Sequence, residues 1–173
     1  MSYDEKSKPK SVDPTIKKNV LSEQIVKDNF KKLEAAGSSF DLNIEPSQYE
    51  DALELLDTVP NLTVILGHRG VSIFTPPNIE FLQSQEYWDA MKKFAARSKT
   101  YIKLSFFACS DFRWKRGDIV IEKAIELVKL FGANRCMFAT NFPIDNMPML
   151  GGWTMKDMLK TYKAIAKDFT PAE

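Results

Sequence analysis

Histidine is nearly missing from this chain: His68 is the only one in 173 residues. A site that needs several imidazoles, as many zinc centres do, cannot be built from this polypeptide alone. Cysteine is almost as scarce. Cys109 and Cys136 lie far apart without C-x-x-C spacing, and read as reduced thiols of an intracellular protein, with a single bridge between them left open. Neither sign of charge is in excess. With 24 basic and 23 acidic residues the net charge is +1, so no nucleic-acid partner and no anionic membrane surface is implied. No apolar run approaches the ~20 residues needed to cross a bilayer, and no membrane insertion is expected. The opening segment, Met1 to Lys10, is polar and lacks the apolar stretch of a signal peptide. The expected location is the cytoplasm; an organelle stays open, because a removed targeting segment leaves no trace. Gly-x-Gly-x-x-Gly, the P-loop and Gly-x-Ser-x-Gly are also absent, which removes support for nucleotide binding and serine-hydrolase chemistry.

What is present is ordinary for a globular chain: 44% apolar and 27% charged residues, enough length for one domain with a core. Residues 1–20 are rich in Lys, Ser, Asp and Pro and read as a mobile arm. Residues 21–173 read as one domain of alternating elements. Ser22 offers an N-cap for a helix through Val26, Phe30 and Leu33 that ends at Gly37. A short strand follows over 40–44, stopped by Pro46. A helix with Tyr49, Ala52, Leu55 and Leu56 leads to the β-branched run 62–66, which suits a strand buried on both faces. After a loop over 67–78 come a helix through Tyr87, Met91, Phe94 and Ala95, a strand over 100–104, and a helix over 117–131 stopped by Gly132. The fourth strand covers 135–139. A last helix starts at Thr154, whose hydroxyl can cap it.

Four strands alternating with helices, each connection long enough for a crossover, predict an α/β fold with a parallel sheet. Closure is the difficulty. A complete eight-stranded barrel takes about 250 residues, and this chain supplies half the strands. Helices on one side leave the other face uncovered and two edges unpaired. Either the sheet is open and doubly wound, or something else covers that face.

Three strand ends carry a recognisable pattern. The second strand closes with Leu66-Gly67-His68-Arg69-Gly70, the third with Lys103-Leu104-Ser105, and the fourth runs from Arg135 to Thr140-Asn141-Phe142-Pro143. In order and spacing these resemble the amidohydrolase-2 family, whose barrel strands end in His-x-Gly, then Lys-x-Ser, then Ser-Asp-Phe/Trp-Pro after a Phe-Gly-x-x-Arg helix end. The resemblance covers roughly residues 22–170 and implies half of a TIM-type (β/α)8 barrel with catalysis at the carboxyl ends of the strands. Family members hydrolyse lactones, cyclic esters and related bonds, or decarboxylate aromatic acids. Many use a divalent metal such as zinc and some need none. Here a metal would need completion by another chain, with His68 as one ligand; otherwise no cofactor is implied.

The departures point the other way. The family's first-strand His-x-His is missing, Pro46-Ser47-Gln48 stands where many relatives read Pro-His-Gln, and relatives continue beyond Thr170-Pro171-Ala172-Glu173 into a further helix. The expectation is a chain truncated at both ends. Asn141 stands where the family carries an Asp that orients or deprotonates water, and an amide is no general base; some branches of the family do carry Asn. Asp145 is the nearest carboxylate that could substitute, although a strand end and a loop position several residues later rarely overlap.

The candidate catalytic residues are therefore His68 and Asn141, each with a plain structural alternative as a hydrogen-bonded or loop-capping residue. Lys103, Arg69 and Arg113 are candidates for binding substrate. Lys103 should face the barrel interior if Ile102 and Leu104 face the helices, and an inward lysine needs an anionic partner. Loop arginines can read a carboxylate but are mostly solvated. Two functions are expected to compete. One is a hydrolase of a small lactone, cyclic ester or amide, completed by a homo- or hetero-oligomeric partner that covers the open face. The other is a non-catalytic descendant retained as a structural or accessory subunit.

Overall fold

A computed structural model of the chain describes residues 20–71, 79–107, 118–148 and 152–170. Its strands are β1 (Ser39–Leu42), β2 (Thr63–Leu66), β3 (Thr100–Leu104) and β4 (Cys136–Phe138). Its α-helices are α1 (Gln24–Ala35), α2 (Tyr49–Asp57), α3 (Ile79–Leu82), α4 (Gln85–Ala96), α5 (Asp118–Phe131) and α6 (Met155–Ala166). All three strand pairings are parallel, and the sheet order follows chain order, β1-β2-β3-β4. The α/β alternation read from the sequence is the one observed, with strand boundaries shifted by one or two residues.

Local chemistry explains most element ends. Thr154 caps α6 in a reciprocal box with Asp157, and Ser84 caps α4 by accepting from the Tyr87 amide. The expected Ser22 cap is not used. Leu21 is buried and draws Val20–Ser22 into a separate 3-10 turn, so Glu23 takes the N-cap of α1 without a side-chain bond. The arm expected over 1–20 lies, apart from Val20, outside the described residues.

Period-two alternation divides the sheet into two unlike faces. Leu42, Val64, Leu66, Ile102 and Leu104 point under the helices and are essentially inaccessible. They join Leu55, Leu56, Met91, Phe94, Ala124, Val128 and Ile165 in one core. The opposite face carries Ser39, Asp41, Thr63, Ile65, Tyr101, Lys103 and Met137, all half-buried or exposed. Asp41, Ile65 and Tyr101 lie side by side across three strands, and Lys103 lies beside Met137. Lys103 thus faces away from the helices, and its Nζ meets the Asp41 carboxylate at 2.6 Å. This face has no covering layer among the described residues. The sheet is open.

Candidate active site at the strand tips

The carboxyl ends of β2, β3 and β4 lie next to one another because the strands are parallel and in register. Backbone strain gathers there. Among the described residues, four non-glycine positions have left-handed φ: His68 (51°), Arg69 (64°), Phe106 (60°) and Asn141 (51°). Each lies two or three residues beyond the end of its strand. Asn tolerates this region, but an aromatic side chain there is costly, and such residues persist only where their surroundings hold them.

The β2 tip is held hardest. Gly70 follows with φ 72°, a conformation glycine adopts without strain, and a Cβ on it would push against Met91 Cε, 2.7 Å away. Two buried phenols secure the turn from below. Tyr49 of α2 donates to the Gly70 carbonyl at 2.6 Å, and Tyr87 of α4 donates to the Arg69 carbonyl at 2.9 Å. Arg69 itself is buried. Its Nε donates to Ser105 O at 3.1 Å and its Nη2 to Phe106 O at 3.0 Å, while the guanidinium lies over the Phe107 ring at 4.7 Å. It ties the β2 tip to the β3 tip.

That tie places His68 against Ser105, whose Oγ is 2.9 Å from Nδ1, with the Phe106 ring centroid 5.0 Å away. Burial, and then the positive charges of Arg69 and Lys103, lower the imidazole pKa to about 4 against a smaller opposing effect of Asp41. His68 is therefore neutral near pH 7. With the Ser105 hydroxyl donating to Nδ1, Nε2 carries the proton and can donate to a carbonyl oxygen; with the opposite tautomer, Nε2 is an acceptor.

At the β4 tip, Asn141 Nδ2 donates to Asp145 Oδ1 at 2.9 Å. Asp145 is buried in the turn Ile144–Asn146. Below it, Tyr162 of α6 donates to Ala139 O and stacks on Phe138 at 4.7 Å. Of the sequence-derived candidates, His68 and Asn141 thus both stand at strand tips. Lys103 lies on the open face paired with Asp41, Arg69 beneath the tips, and Arg113 outside the described residues. The sequence showed Ser105 only as part of a motif, and nothing in it placed Ser105 against the His68 ring.

Clefts of about 300 and 470 Å3 occur elsewhere, the first beside β4 and α6 and the second between α2 and α4; neither is lined by His68 or Asn141. Among the described residues no group of three or more His, Cys, Asp or Glu comes together. The described residues therefore do not fit a metal centre on their own. No described helix is long and apolar enough to cross a membrane.

Residues 13–167 match the family described as Amidohydrolase. The uncharacterized protein y4mH of Sinorhizobium fredii (strain NBRC 101917 / NGR234) is 33% identical over 120 residues, covering 68% of this chain and 38% of that protein. An amidohydrolase from Burkholderia multivorans, solved with bound zinc, aligns with a TM-score of 0.72 at 18% identity, covering 88% of this chain and 53% of that one. A probable 2-pyrone-4,6-dicarboxylic acid hydrolase from Acinetobacter baumannii, solved with citric acid, aligns with a TM-score of 0.65 at 15% identity over 87% of this chain and 53% of its own. The chain spans about half the length of these structures and less than two-fifths of the curated relative. At such identities the structures speak for fold: parallel β/α units amounting to half of a TIM-type barrel. With the family match running over most of its length, the chain belongs to the amidohydrolase family.

Proposed function

We propose that the chain supplies the carboxyl-terminal half of a hydrolase for a small lactone, cyclic ester or amide, completed by a partner that covers the open sheet face and brings the imidazoles this half lacks. The observation that carries the reading is the gathering of all four described non-glycine left-handed residues at the tips of β2, β3 and β4, where barrel enzymes of this kind place their chemistry. In this scheme neutral His68, oriented by Ser105, donates from Nε2 to the carbonyl oxygen of the scissile bond and stabilises the charge that develops there. Asn141 binds substrate through its amide. Lys103, with Asp41, offers a charged floor on the open face, and Arg113 a guanidinium for a substrate carboxylate. Arg69, spent on two backbone carbonyls, positions the tips rather than touching substrate.

The test is turnover of small lactones, cyclic esters and amides by the protein in its native complex, together with that complex's mass. Substituting Ala for His68 should lower kcat by about 10²- to 10⁴-fold, the usual worth of a positioned proton donor or acceptor. A native complex inert to all three substrate classes would replace this reading with that of an accessory subunit.

A further inference from the structure

The β4 tip carries an amide where hydrolytic chemistry at a strand end would use a carboxylate, yet a carboxylate is present four residues on and touches that amide. Asp145 is 2% exposed and receives Asn141 Nδ2 at 2.9 Å. It cannot swing away easily. Its amide bonds back toward Asn141 O at 3.4 Å, its carbonyl accepts from the Trp153 amide at 3.0 Å, and Asn146 Nδ2 donates to Trp153 O at 2.8 Å. Trp153 is itself in the core. The charge of Asp145 also reaches Tyr162, where it adds to burial in raising the phenol's pKa, against a contribution from Arg69.

We propose that Asp145 is a positioning residue for the β4 tip: it fixes the Asn141 amide with Nδ2 on the carboxylate, so that Oδ1 and the second N–H are held out for a ligand. An ionised carboxylate only accepts hydrogen bonds, so it admits one of the two amide orientations and rejects the other. The half-buried Asn141 then offers one acceptor and one donor at fixed places. The held N–H suits the carbonyl oxygen of a lactone, ester or amide, the Oδ1 suits a hydroxyl or N–H where the ligand carries one, and the pair offers no base. The inference builds on the strand-tip site proposed above, but its principal test does not need turnover.

The experiment is nitrogen–proton NMR of the Asn141 side-chain amide in the full chain and in Asp145→Asn, with δ-valerolactone as probe, together with the melting temperatures of Asn141→Asp, Asp145→Asn and the exchanged variant N141D/D145N. A hydrogen bond to a charged group slows exchange of its proton by roughly tenfold or more, so D145N should speed exchange of the Asn141 amide by at least about that factor. The exchanged variant keeps one amide on one carboxylate and should recover most of the melting temperature lost in either single change. δ-Valerolactone should shift the Asn141 amide signals in the wild type and shift them less in D145N. Unchanged amide exchange in D145N, or equal lactone-induced shifts with and without Asp145, overturns the proposal. If D145N does not fold, Asp145→Glu, which moves the carboxylate by one methylene, is read for exchange in the same way. A wild type whose His68 and Asn141 signals both ignore the lactone counts against the hydrolase reading, while amide exchange still decides the role of Asp145.

Discussion

His68 shows how much one ring's surroundings decide. Its folded pKa of about 4 lies below the ordinary imidazole value near 6.5, so between these pH values the unfolded chain binds a proton that the folded chain refuses. Its contribution to stability is complete above pH 6.5 and is lost as pH falls toward 4. Measured against His68→Asn, the wild-type melting temperature should drop by a few degrees between pH 7 and 4.5, and proton NMR should place the ring's midpoint near 4. An ordinary midpoint would mean that the ring is not buried against Ser105. Arg69 permits a second prediction. Arg69→Met leaves the Ser105 and Phe106 carbonyls without their donor and should cost about 2–4 kcal/mol in chemical denaturation. Arg69→Lys should recover little, because an ammonium lacks the planar fork. The position of His68 was legible from the sequence, since a histidine one glycine beyond a β-branched run stands at a strand end. The work of Arg69 was not, because its acceptors are backbone atoms 36 and 37 positions away.

Between elements, the strained β2 turn depends on helices beneath it. Tyr49 and Tyr87 reach up from α2 and α4 to consecutive carbonyls, those of Gly70 and Arg69. Replacing either tyrosine by Phe removes a donor and keeps the ring, so each change should cost about 1–3 kcal/mol. The double replacement should raise amide hydrogen exchange around 67–71 far more than in β3. Uniform acceleration across the sheet would show that the phenols support the core rather than the turn. The helices themselves were well marked. Tyr49 and Leu56 on α2, and Tyr87, Met91 and Phe94 on α4, keep helical spacing and are buried. The phenol contacts were not marked, since spacing reveals which face a residue occupies but not which carbonyl lies above it. Ser22 misled for a related reason: its cap competed with burial of Leu21, and burial prevailed.

For the molecule as a whole, the open sheet is the governing fact. Its alternation and its four strands were legible in the chain, and so was its incompleteness, from simple arithmetic against an eight-stranded barrel. What would lie against the exposed face was not, because the alternation marks two unlike faces without naming what packs on the second. The face is polar enough to stand in water, with Asp41 and Lys103 bridging its middle. Both are substantially solvated, so replacing the pair by Asn and Met should change stability by less than about 1 kcal/mol. A larger loss on denaturation would show that a covering layer buries the pair in the native complex.

The sequential order β1-β2-β3-β4 makes each β/α unit lean mainly on its immediate neighbours, as in a short linear array. Such an array unzips from its weaker end. That end is β4, three residues long, its Phe138 still 46% exposed beside Tyr162, whereas β2 and β3 are flanked on both sides. Thermal motion should therefore peel away Cys136–Phe138 while the β2–β3 pair is still intact. The Asn141 tip would then melt before the His68 tip, and the two halves of the site would be lost at different temperatures.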